Sequence, residues 1–219
     1  DIASGAQRAF SVANARVASP VFMPDGKRVA YWLRRTAPAS GQPDCAIALR
    51  DLDRGTDVVL VDCQQRPQPV FDLSADGASL IYAALPRADY PMALMRRNLV
   101  ARSTEQLTAP APGEGHDAYP RISPDGKLLY ATVGSNSNVG ENGIENETDR
   151  AAILQVDPAT GEKRVFASGL RNPNGMGWQP TSGALWTSVN ERDELGPNLV
   201  PDYMTSVQDR GFYGWPGNA

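Results

Sequence analysis

The sequence predicts an all-β fold, a β-propeller of four-stranded blades with about four blades per chain. Three observations predict it: a repeat of about fifty residues, a turn glycine at the same point of every copy, and the lack of any segment that keeps a helical apolar period. The four copies are SPVFMPDGKRVAYWL from Ser19, QPVFDLSADGASLIYAAL from Gln68, AYPRISPDGKLLYATV from Ala118 and NGMGWQPTSGALWTSV from Asn174. Each joins two β-rich runs through a Pro/Asp/Ser-Gly turn. The turn glycines Gly26, Gly77, Gly126 and Gly183 stand 51, 49 and 57 residues apart. Asp-Gly and Ser-Gly supply the positive φ that tight hairpins need, so the repeat is one of hairpins.

A second hairpin cue follows three of these copies. IALRDLDRGTDVVLV from Ile47, LMRRNLVARSTEQLT from Leu94 and AILQVDPATGEKRVFA from Ala152 each read as strand, polar turn and strand, which completes a blade. No such hairpin follows GALWTSVN. Residues 1 to about 13, DIASGAQRAFSVAN, share the outline of VDPATGEKRVFASG and are expected to supply the outermost strand of the last blade. Joining the chain ends in one sheet would remove two open edges. The chain is accordingly read as a single propeller domain over residues 1–219. The rival is a larger ring completed by a second copy, a homo-oligomer.

Composition narrows the partners. A net charge of -4, with Lys and Arg scattered, offers no basic field for phosphates, so nucleic acid is not an expected partner. No apolar run approaches the ~20 residues needed to span a bilayer, so no membrane partner is expected. The chain opens at DIASGAQRAF without an initiator Met, which leaves room for a removed leader, and localisation is not readable there. Cys45 and Cys63 are compatible with a disulfide or with two free thiols. A zinc site built from this pair is not expected, because His116 is the one histidine. The acidic stretch ENGIENETD, from Glu141 to Asp149, lacks the pattern of an EF-hand loop and reads as a solvated blade connection. Asn146-Glu147-Thr148 is a glycosylation sequon by rule. Trp178, Trp186 and Trp215 suit packing between blades.

Two resemblances sit on these motifs. Residues 1–127 resemble TolB-type propeller domains and related periplasmic sensor domains, through SPVFMPDGKRVAYWL, FDLSADGASLIYAAL and DAYPRISPDGKLLY. That resemblance implies a propeller that binds protein partners, and a periplasmic location. Residues 123–216 resemble a different family, the sorbosone and soluble glucose dehydrogenases that use pyrroloquinoline quinone (PQQ) and calcium. The motifs are PDGKLLYATVGSNSNVGENG, RAAILQVDPATGEKRVFASGLRNPNGMGW and GALWTSVNERDELGPNLVPDYMTSVQDRGFYGWP. The second resemblance implies that Arg171 and Asn172 contact the quinone, and that the backbone carbonyls of Gly196 and Pro197 bind calcium. It places His116 as the base that takes a proton from a sugar hydroxyl. The residue types suit those roles: a guanidinium pairs with quinone oxygens, and hard carbonyl oxygens suit Ca²⁺. Each residue also has a plainer reading, His116 as a polar loop residue and Arg171 as a loop arginine pairing a nearby carboxylate.

The two resemblances meet inside SPDGKLLY, a turn motif common to both, where a swap would keep hairpin register. This fits an engineered or recombined chimera, with a natural fusion as the alternative. The dehydrogenase family builds six blades and draws cations for the quinone from blades beyond GFYGWP. The reading favoured by the sequence is therefore a non-catalytic, engineered chimeric β-propeller scaffold that retains remnants of a PQQ/calcium site and needs no cofactor. Two alternatives stand: a PQQ-dependent dehydrogenase of an aldose or sorbosone-like substrate, with PQQ and Ca²⁺ as cofactors, and a TolB-like module that binds a peptide or protein at the ring mouth.

Overall fold

The structure, a computed structural model, describes residues 9–36, 41, 44–195 and 199–217. The fold is all-β. Among the described residues four small sheets form the blades of a four-bladed β-propeller fold, and no helix is long and apolar enough to cross a membrane. Two compact units divide the chain, residues 1–64 and 65–219.

The first unit holds one antiparallel sheet of β1 (Ala15–Phe22), β2 (Arg28–Arg35), β3 (Cys45–Asp51) and β4 (Asp57–Asp62). Gly26, in the left-handed region at φ 65°, makes the first turn. Asp25 braces that turn by accepting from the Lys27 N–H at 2.8 Å. Tyr31, Leu33, Ala46 and Ala48 form the core, and Phe10 and Val12 pack against it. Residues 1–8 of the expected closing strand lie outside the described residues. Residues 9–13 are not strand and rest on the first sheet. Cys45 and Cys63 are joined as a disulfide, with Cα atoms 5.1 Å apart.

The second unit holds three sheets. The first is β5 (Pro67–Leu73), β6 (Ser79–Ala84), β7 (Ala93–Asn98) and β8 (Thr104–Gln106). The next contains β9 (Ala118–Ile122), β10 (Leu129–Val133), β11 (Ala152–Val156) and β12 (Lys163–Ser168). The last is β13 (Asn172–Trp178), β14 (Leu185–Asn190) and β15 (Tyr203–Val207). Turn glycines Gly77, Gly126 and Gly183 take φ of 69°, 75° and 68°, so the hairpin repeat read from the sequence is the hairpin repeat of the fold.

Strands β6 and β10 are buried on both faces, whereas β8 is wholly exposed. Ile81, Ile122, Leu129 and Val156 form one core between sheets. Tyr130, Ile153, Leu170, Met176, Leu185, Val189 and Val207 belong to another. Tyr130 there meets Phe166 and Trp178 edge-on, with ring centroids 5.0 and 5.1 Å away. Trp178 packs between sheets as the sequence suggested, and Trp215 is buried. Trp186 does not: on β14 it alternates outward and is 39% exposed.

The last blade departs from the four-stranded expectation. Among the described residues it has three strands, and the residues after β15 turn back and add β16 (Gly211–Phe212) in parallel to β12 of the preceding sheet. Parallel pairing needs a crossover rather than a hairpin, and the stretch from β13 through β15 provides it.

Inner strands β5, β9 and β13 are tied by side chains. Arg121 donates through Nε to the Met176 carbonyl at 2.6 Å and through Nη1 to the Phe71 carbonyl at 3.2 Å. Asp72 accepts from the Ile122 N–H at 2.9 Å, and Trp178 Nε1 donates to the Ile122 carbonyl at 2.7 Å. We expect Arg121→Met to lower unfolding free energy by about 2 kcal/mol, since it strands buried carbonyls; an unchanged urea midpoint would remove this tie from the account. Replacing both cysteines with serine should destabilise the first unit by about 3 kcal/mol, the scale for a closed loop of this size. Amide exchange of β2 and β3 reads that loss, and unaltered protection would contradict it.

Candidate functional site

The matched motifs meet in three adjoining segments of the second unit: the long connection from β10 to β11, the turn from β12 into β13, and the residues after β14. Arg171, at the second of these, is 8% exposed and enclosed by the other two. Its Nε donates to the Asn138 carbonyl at 3.2 Å and its Nη2 to Asn138 Oδ1 at 2.8 Å. Nη1 donates to the Glu191 carbonyl, and the exposed Asp193 carboxylate lies 3.8 Å away. Asn138 is the hub, since its Oδ1 also accepts from the Asp193 N–H at 2.8 Å and its carbonyl from Trp215 Nε1 at 3.4 Å.

Asn172 opens β13, and its side chain lies over Gly134. A Cβ at Gly134 would collide with Asn172 Oδ1, so glycine is required for that approach. The Ser135 N–H donates to the Arg171 carbonyl at 2.9 Å, tying the same two segments through backbone.

One group in this region was misread in the sequence. The acidic stretch is not wholly solvated: Glu147, 9% exposed, turns inward. Its carboxylate accepts from the Asn136 N–H at 3.0 Å and from Ser137 Oγ at 2.9 Å, pinning the VGSNS turn. Glu141 does the same outside, accepting from the Asn138 N–H at 2.9 Å. Its carboxyl is held below the ordinary range by these backbone N–H groups, that of Val139 first. The signal available in the sequence was an Asn/Ser-rich turn followed by carboxylates, a pairing that Asx- and Ser-type turns seek.

His116 lies in the connection before β9 and is exposed. Its Nδ1 accepts a hydrogen bond from the Met92 N–H at 2.8 Å. A neutral imidazole that accepts at Nδ1 carries its proton on Nε2. Among the described hydrogen bonds, none joins His116 to the Arg171 cluster. Gly196 and Pro197 lie outside the described residues. Among the described residues no group of three or more His, Cys, Asp or Glu could hold a metal ion.

Beside the cluster is a cavity of about 500 Å³, walled by Tyr203, Tyr213 and Trp215 and edged by Glu191 and Arg192. Arg192 Nε and the Tyr203 hydroxyl are buried there without a partner. Burial and then the charge of Glu191 push the Tyr203 hydroxyl up to about 12. Glu191 is itself raised, by burial first, and Arg171 opposes that rise. Aromatic walls with a few convergent polar groups are the chemistry that small-molecule sites use.

Comparison with known proteins bears on the fold and on the family that the motifs resemble. Residues 121–219 match the family model for Glucose / Sorbosone dehydrogenase. An uncharacterised protein of Borreliella burgdorferi is 28% identical over 99 residues, which is 45% of this chain and 25% of that protein. Among solved structures, a Trichoderma reesei enzyme of carbohydrate-active family AA12 superposes with TM-score 0.64 at 16% identity, over 95% of this chain and 57% of that one. TolB from Acinetobacter baumannii superposes with TM-score 0.60 at 18% identity, over 89% and 43%. The PQQ domain of pyranose dehydrogenase from Coprinopsis cinerea gives TM-score 0.62 at 15% identity, over 90% and 53%. The chain thus spans a quarter of that curated relative and about half of these solved chains. Both kinds of propeller superpose on most of the chain, so two sets of motifs need no junction between architectures, and a chimeric origin gains no support. The chain is a β-propeller whose residues 121–219 are similar to the glucose/sorbosone dehydrogenases.

If Arg171 is a clamp between loops, Arg171→Ala should leave the sheets folded while amides 135–139 and 191–193 exchange at least tenfold faster. Protection equal to that of the parent chain would show that Asn138 and Glu191 do not depend on it.

Proposed function

We propose that this chain is a propeller scaffold that does not oxidise sugars, in which parts of a quinone site persist as structural ties. The observation that carries the reading is the commitment of Arg171: Nε, Nη1 and Nη2 all donate to protein oxygens, and the side chain is buried. Turning it towards a quinone would strand the carbonyls of Asn138 and Glu191, at about 1–3 kcal/mol each. His116 adds a second argument, because with Nδ1 accepting from Met92 the neutral ring has no free lone pair on Nε2 to act as base. As arranged, these residues do not fit the quinone. The Cys45–Cys63 bridge suits an oxidising compartment such as the periplasm.

A second reading, a PQQ- and calcium-dependent dehydrogenase, is favoured by one observation. The 500 Å³ aromatic cavity, walled by Tyr203, Tyr213 and Trp215, is of the size that small ligands occupy.

Calorimetric titration of PQQ with calcium present separates the two. The scaffold reading expects no saturable heat. Saturable binding that disappears in Arg171→Ala would overturn it and justify an aldose assay with an electron-acceptor dye.

A further inference from the structure

A second cavity, of about 210 Å³, shares no lining residue with the Arg171 clamp and is walled in part by the connection that leads into β9. Asp117 forms part of its wall and is 1% exposed. The Leu94 N–H donates to Thr108 Oγ1 at 3.0 Å, and the Thr108 hydroxyl in turn is free to serve one Asp117 oxygen. The other, Oδ2, has no hydrogen-bond partner. A buried carboxylate oxygen left without a donor costs on the order of 1–3 kcal/mol, more when charged, so a site that retains one calls for a ligand that donates.

The sign of that ligand follows from the neighbours. Both cations on the wall are occupied: Arg150 Nη2 donates to the Gly113 carbonyl at 2.7 Å, and Lys163 Nζ faces Glu114 at 3.7 Å. Asp149 adds a carboxylate at the exposed rim, where a ligand can enter. An anion would meet an unpaired acid and cations already engaged. A metal ion would find too few ligands among the described residues. One water needs only about 10–15 Å³ of such space, so the cavity admits something larger.

We propose that this cavity binds the primary ammonium group of a small organic cation, with Asp117 Oδ2 as the accepting counter-ion and Asp149 at the entrance. Ammonium brings three donors and a compact charge, which is what an unpaired, buried oxygen of a wall residue can use. Burial holds the Asp117 carboxyl above its ordinary range, with Thr108 and Lys163 opposing, and a bound cation would relieve that cost.

The test is calorimetric titration of n-butylammonium chloride into the full chain at constant ionic strength, with 1-butanol as the neutral comparison. Saturable binding of the amine alone is expected, weakened at least tenfold in Asp117→Asn with near-UV circular dichroism unchanged. Asp149→Asn, on the exposed rim and tolerant of the left-handed backbone there, should weaken it about threefold without touching the core. Equal binding by 1-butanol, undiminished affinity in both variants, or no saturation by the amine would each overturn the proposal and leave the cavity to water.

Discussion

The second unit depends on how the open inner edges of its sheets are satisfied. The first strand of a blade has a ladder partner on one side only, and the other side faces neighbouring blades with backbone groups that cannot reach water. Ile122, Met176 and Phe71 are all under 9% exposed, so their edge groups need partners from elsewhere. Arg121, Asp72 and Trp178 supply them across sheets. The arrangement makes β9 the strand through which its two neighbours are held. Burial raises the Asp72 carboxyl despite the Ile122 N–H, so its share of stability is full at low pH and declines as pH rises from about 3.8 through the elevated value.

The outer edges are handled differently. β8 is only three residues long and carries Glu105 paired with Arg96, a short charged edge that resists pairing with another chain. β12 is instead covered by β16. That cover also fixes the residues after β15, for the Trp215 N–H reaches the Gly169 carbonyl at 3.0 Å and its ring reaches Asn138. Edge protection and the construction of the Arg171 region are therefore one piece of chain geometry.

The turn glycines made the blades legible, because a positive φ at a fixed point in each hairpin has few sequence solutions. The alternation of β-branched and aromatic residues did the rest. β15 was not read as a third strand because YMTSV follows a Pro-rich stretch and has no hairpin partner after it; the residues beyond it pair with an earlier sheet, a non-local event with no local signature. The motifs around Arg171 were legible as motifs, but their internal bonds were not. Nothing in NSNVGENG says that Asn138 will hold a guanidinium, or that Glu147 will leave an acidic stretch to cap the preceding turn. Asp117 gave no sign, since its meaning lies in what surrounds Oδ2.

Why three motifs of a dehydrogenase family occur together can be understood without invoking a cofactor. VGSNSNVGEN, GLRNPNG and NERDELGP contribute Asn138, Arg171 and Glu191 to one set of mutual hydrogen bonds. Asn172 against Gly134 ties the first two motifs a second time, sterically. A change in any one would leave buried donors or carbonyls of the others unpaired, a cost comparable to a sizeable fraction of a domain's net stability. The Arg171 atoms to which the resemblance assigns a quinone are the atoms that close these loops on each other. A motif match of this kind consequently speaks first for a shared way of joining strands, and chemistry requires in addition that the guanidinium be free to leave its oxygens.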